Sequence, residues 1–197
     1  MHVIFSSGAK VKALCDVVHN NIEVCFAPFY CDKDSDFTLE NLDIESKNTR
    51  YCVHDECSGE TGNYTHKYIN CKMIHDNTGS YSTRFPQCIG GGLGQHMYID
   101  IVGCYFKSKV CESSKKTLVS YHNNADSNSK SNINVRNCYF DDLGTFRVTH
   151  YGTSTDVSEA IINNCSLGTQ AYIEHEGGTT GNENMKLISY MNEVRNQ

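Results

Sequence analysis

Tryptophan is absent and proline occurs only twice in 197 residues, against 15 glycines and 19 asparagines. Proline therefore does not build the turns; Asn and Gly must do so. A basic excess is missing as well: 17 Lys and Arg stand against 23 Asp and Glu, a net charge of −6. Nothing tracks a phosphate backbone, so no nucleic-acid partner is expected. No apolar run approaches the roughly 18 residues of a helical membrane span, so no membrane span is expected. Met1 to Lys10 lacks the basic and apolar regions of a secretory leader. The eleven cysteines cannot all pair within one chain, which suggests free thiols and a reducing or oxygen-free origin. Val3-Ile4-Phe5 reads as the middle of a strand, as expected of a piece of a longer chain. At 39% hydrophobic and 20% charged, the chain is apolar enough to bury one substantial core.

What is present is a repeat. The frame apolar-x-apolar-x-Asn-apolar-x-apolar is filled by Phe37, Leu39, Asn41, Leu42 and Ile44. It returns at His66, Tyr68, Asn70, Cys71 and Met73, and at Ile99, Ile101, Gly103, Cys104 and Phe106. Ile133, Val135, Asn137, Cys138 and Phe140 follow, then Ala160, Ile162, Asn164, Cys165 and Leu167. The steps between the Asn/Gly positions are 29, 33, 34 and 27 residues. Weaker copies lie at Val17, Asn21, Ile22 and Val24, and at Met185, Leu187, Ser189 and Tyr190.

Alternation at i and i+2 is a strand with one buried face. At the Asn the alternation changes phase, which needs a corner, and Asn and Gly tolerate the left-handed backbone of a corner. Another strand recurs after each unit, at 50–54, 118–122, 146–150 and 171–175. A fifth begins at Gln87-Cys88-Ile89 and is expected to be interrupted by Gly90-Gly91-Gly92. Three short strands per 25–34 residues predict an all-β solenoid, a right-handed parallel β-helix of about five to seven coils. It forms one domain over 1–197, with less regular coils over 1–36 and clear ones over 37–190. Stacking would place Cys71, Cys104, Cys138 and Cys165 in one interior column headed by Leu42. Ile44, Met73, Phe106, Phe140 and Leu167 would form the next. An antiparallel sandwich has no reason to repeat Asn at one position.

These features resemble the pectin-lyase-like superfamily of right-handed parallel β-helices. The likeness runs from Phe37 to Leu167. Phe37-Thr38-Leu39-Glu40-Asn41-Leu42, Tyr51-Cys52-Val53-His54-Asp55-Glu56, Cys88-Ile89-Gly90-Gly91-Gly92-Leu93-Gly94 and Asn163-Asn164-Cys165-Ser166-Leu167-Gly168 look like phrases of phage tail-spike and gut-microbial members. The resemblance implies a polysaccharide partner, a homotrimer, and a place on a phage virion or a microbial cell surface. Because the superfamily spans lyases, hydrolases and plain adhesins, it leaves catalysis open.

The candidate chemistry clusters at the ends of the recurring strand. His54, His122, His150 and His175 close it in four units, predicting an imidazole column beside Asp55, Glu56, Asn123, Tyr151 and Glu176. Such a column could bind sugar or move protons; the alternative is a polar stack at a corner. Asp55-Glu56, with His54, is the candidate catalytic group, because glycosidases use paired carboxylates. Solvated surface is the alternative for this pair and for Asp141-Asp142. His122, Asn123, His150, Tyr151, His175 and Glu176 are the candidate ligand contacts. Cys52, His54 and Cys57 lack the paired spacing of a zinc site, so no metal and no cofactor is expected. The Gly90–Gly92 run has no following helix to cradle a phosphate and suggests a close backbone contact or a flat ligand surface. Tyr51, Tyr105, Tyr139 and Tyr172 have outward parity, for sugar stacking or for covering a sheet.

Overall fold

The computed structural model describes residues 9–14, 27–32, 36–47, 49, 51–56, 62–76, 87–94, 96–108, 116–123, 131–141, 144–150, 158–168, 172–177 and 185–194. Among these, every regular element is a strand. The chain begins with β1 (Ala9–Leu14) and β2 (Phe29–Asp32). Five triplets follow. They are β3 (Phe37–Glu40), β4 (Leu42–Lys47) and β5 (Tyr51–Glu56); then β6 (Asn63–Ile69), β7 (Lys72–Asp76) and β8 (Gln87–Leu93). The third is β9 (His96–Val102), β10 (Tyr105–Ser108) and β11 (Lys116–Asn123); the fourth is β12 (Asn132–Arg136), β13 (Tyr139–Phe140) and β14 (Gly144–His150). The fifth is β15 (Ser158–Asn163), β16 (Ser166–Leu167) and β17 (Tyr172–Gly177), followed by β18 (Met185–Tyr190) and β19 (Glu193–Val194).

Each triplet is one coil, and its members join three separate sheets. Sheet one runs β1-β4-β7-β10-β13-β16-β19, sheet two β17-β14-β11-β8-β5-β2 and sheet three β18-β15-β12-β9-β6-β3. All pairings are parallel. The fold is a parallel β-helix, as the repeat predicts.

The corners fall at the predicted residues. Asn41, Asn70, Asn137 and Asn164 have φ between 48° and 57°, and Gly103 has φ 64°. Each corner N–H donates to the next coil, as Asn70 N does to the Val102 carbonyl at 2.8 Å. The Asn164 amide donates to Asn137 Oδ1 at 2.6 Å, which joins these two corners through their side chains as well. Gly103 fits because a Cβ there would lie 2.4 Å from Asn70 Oδ1. The last corner departs from expectation. It lies at Met191, φ 55°, not at Ser189, because β18 runs on through Tyr190.

Just inside the corner, the thiols stack. Cys104 N donates to Cys138 Sγ and Cys138 N to Cys165 Sγ, each at 3.4 Å. Cys165 N meets Asn192 Oδ1 at 2.9 Å, so an amide takes the thiol's place in the final coil. Leu42, Ile44, Met73, Phe106 and Phe140 are buried beside them. Among the described residues six cysteines are free and buried: Cys52, Cys71, Cys88, Cys104, Cys138 and Cys165. Burial pushes the Cys88 and Cys104 thiols well above their ordinary value, so they serve as small apolar side chains.

Two expectations change here. The glycine run does not interrupt its strand, since β8 passes through Gly90–Gly92 to Leu93. Sheet one also begins earlier than the repeat suggests, with β1 pairing Ala9 to Leu42. The weak copy at Val17–Val24 lies outside the described residues.

Candidate functional site

Asp55 and Glu56 are consecutive on β5, so their side chains leave opposite faces of sheet two. Asp55 goes inward and is fully buried. Its Oδ1 meets His66 Nδ1 at 2.6 Å. Its Oδ2 accepts from the Tyr68 hydroxyl at 2.7 Å and the Tyr121 hydroxyl at 2.8 Å. Burial alone would raise the Asp55 carboxyl; the His66 charge and the three hydrogen bonds outweigh it and hold it below its ordinary value. Tyr68 is held well above its ordinary value, first by burial and then by the Asp55 charge, so it stays a donor. Phe37 closes the cluster, its ring edge-on to His66 at 5.9 Å and to Tyr68 at 5.7 Å. The candidate catalytic pair Asp55-Glu56 is therefore corrected: Asp55 is a core anchor tying sheet two to sheet three, out of a ligand's reach.

Glu56 goes outward and remains 24% exposed. His54 Nε2 lies 3.4 Å from its Oε2, and His122 Nε2 lies 4.0 Å from the same oxygen. His54 is covered by Tyr51, whose ring stacks on it at 4.6 Å and 18°. His122 is a third exposed. Glu56 and His122 are two coils apart, aligned through Gly92. Because Gly92 has no side chain, they meet above it. The interior repeats the device, since Asp55 and Tyr121 align through Gly91. A Cβ on Gly91 would lie 1.6 Å from the Asp55 carbonyl oxygen. The glycine run is thus a close backbone contact, with Glu56 and His122 closing over Gly92.

The register breaks the expected histidine column. His54 shares its row with Gly90, Ser120, Arg147 and Glu174. His122 shares the Glu56 row, which continues to Thr149 and Glu176 and begins at Asp32. His150 pairs with Asn123, one row further on, and His175 aligns with Val148 and Tyr121 in the Asp55 row. Four histidines thus occupy four rows, because the coils enter sheet two at different points. Tyr151 and Asp142 lie outside the described residues.

The tyrosines divide as well. Tyr105 and Tyr139 stack face to face at 4.8 Å and 14°, with Lys72 Nζ 5.9 Å from the Tyr105 ring. Each ring therefore has one face against the other, and Tyr105 has a lysine on its second face. Tyr51 is occupied on His54. Sequence reasoning missed His66, Tyr68 and Tyr121 as Asp55 partners. Tyr68 sat in the repeat as an apolar position, and nothing local reveals where its hydroxyl goes.

No helix among the described residues is long and apolar enough to cross a membrane, and no metal-binding cluster of His, Cys, Asp and Glu occurs among them. No protein-family model matches the chain, and neither a curated protein nor a solved structure is significantly similar to it. The three-sheet parallel architecture is compatible with the pectin-lyase-like superfold.

Proposed function

We propose that the protein recognises an extended polysaccharide along the outer face of sheet two, in the manner of a phage tail-spike or microbial surface β-helix. The observation that carries the reading is Glu56, partly exposed on the outer face of sheet two and approached by the His54 and His122 imidazoles. A carboxylate accepts from vicinal hydroxyls, and imidazoles donate or accept. Successive strands, about 4.8 Å apart, carry the Glu56 row on to the Thr149 and Glu176 positions along the axis. A homotrimer would multiply such contacts through avidity.

Cleavage is the second reading. Asp32 aligns with Glu56 on the neighbouring strand. Retaining glycosidases use a pair of carboxylates, and adjacent strands about 4.8 Å apart put these two sequence positions side by side in the sheet.

Affinity electrophoresis through gels containing pectin, xylan, alginate, hyaluronan or a bacterial capsular polysaccharide tests the binding reading. One polymer is expected to retard the protein, and E56Q and H122A to abolish the retardation. Passage through all five gels without retardation overturns it. New reducing ends or unsaturated sugar from the retarding polymer, lost in E56Q, would establish cleavage.

A further inference from the structure

A separate cavity lies on sheet three, where β6, β9 and β12 begin. It measures 330 Å³, at the small end of the range for small-molecule sites. Its walls are Asn63, Thr65, His96, Tyr98 and Asn132. Its floor is Tyr64 and Met97, both buried. In-register stacking brings these together: Asn63 aligns with His96, Tyr64 with Met97, and Thr65 with Tyr98 and then Asn132.

The chemistry of the walls is narrow. Two carboxamides, a hydroxyl, a phenol and an imidazole converge, and none of the lining groups is a carboxylate, ammonium or guanidinium. Carboxamides donate and accept at once, which matches vicinal hydroxyls that do the same. The Tyr98 ring, 41% exposed, offers an apolar surface for the C–H face of a sugar ring. Among the described lining residues no lysine or arginine is present to neutralise a phosphate or a uronate.

The cavity is also held in shape. Asn134 Nδ2 donates to the Tyr98 hydroxyl at 3.0 Å, fixing the ring. Asp36 Oδ1 accepts from Thr65 N at 3.0 Å. Beneath, buried Ser131 Oγ accepts from Met97 N and donates to the Gly94 carbonyl, both at 3.2 Å. The Tyr98 ring and the backbone beneath it are thus set before a ligand arrives, which lowers the ordering cost of binding.

We propose that this cavity binds one neutral pyranose unit. It is a second carbohydrate site on a different sheet from Glu56, and its failure leaves the reading of that face standing.

Saturation-transfer NMR and calorimetry test it, using methyl β-glucopyranoside, methyl β-galactopyranoside, N-acetylglucosamine and galacturonic acid as probes. At least one neutral probe is expected to bind with Kd of about 1 mM, and galacturonic acid at least tenfold more weakly. N132A and Y98A should each weaken the neutral probe at least tenfold, and K72A, at an exposed position of sheet one, should leave it unchanged. Y98F, which keeps the ring but loses the bond to Asn134, should fall between wild type and Y98A. Absence of binding by every neutral probe overturns the proposal. So does galacturonic acid binding as tightly as the neutral probes, or full affinity in folded N132A and Y98A proteins.

Discussion

Asp55 accepts three hydrogen bonds in the core, while Glu56, one residue on, meets two imidazoles at the surface. The two carboxylates should respond differently to substitution. Removing one partner of a buried ion pair costs about 3–5 kcal/mol, so D55N should lower urea stability by that order. Y121F, which removes one bond to the carboxylate, should cost about 1.5–3 kcal/mol. The Asp55 carboxyl is lowered from its ordinary 3.8 in the folded state, so near that pH the unfolded chain binds more protons. Its contribution is fully present above pH 3.8 and is lost as pH falls through the lower folded value. Denaturant titrations between neutral pH and pH 2 should show wild-type stability falling below pH 3.8, and D55N with a shallower fall. At the surface, H122A should change stability by no more than about 0.5 kcal/mol while removing polysaccharide retardation. A large loss of stability in H122A would mark it as structural.

The strands and corners carry their own tests. Strand β8 passes Gly91 within contact of the Asp55 backbone, where a Cβ has no room. G91A should therefore fail to give a cooperative unfolding transition in circular dichroism; a native-like transition would contradict the close approach. At the corner, Asn137 sits at φ 57° with its Oδ1 accepting from Asn164. N137A should cost about 1–2 kcal/mol from backbone strain alone. N137G, which removes that strain, should retain more of the stability than N137A. The corners were legible because left-handed backbone favours Asn and Gly locally. The end of the pattern was not legible: Met191 takes the last corner although its side chain gives no such signal. Neighbouring backbone sets that turn, through the bond from Asn164 N to the Tyr190 carbonyl.

Across the whole molecule, each coil contacts its sequence neighbours along one axis, so stability accumulates from coil to coil. Strands β10, β11 and β12 have a partner on both sides, whereas β1, β2 and β3 at one end and β17, β18 and β19 at the other have one. Amide exchange followed by mass spectrometry should be slowest in β10–β12 and fastest in the end strands. Uniform exchange would contradict that order. The sequence by itself determined the coil: period-two alternation, the phase change at each corner and the thiol beside it are set by residues within a few positions of one another. Only the tertiary structure decided which side chains of different coils meet. Segments of unequal length separate the strands in the sequence, so the register of sheet two cannot be counted off along the chain. That register placed His122 beside Glu56 and Tyr121 beside Asp55, and it moved four equivalent-looking histidines onto four rows. A chemical site here is a relation between coils, and local spacing does not encode it.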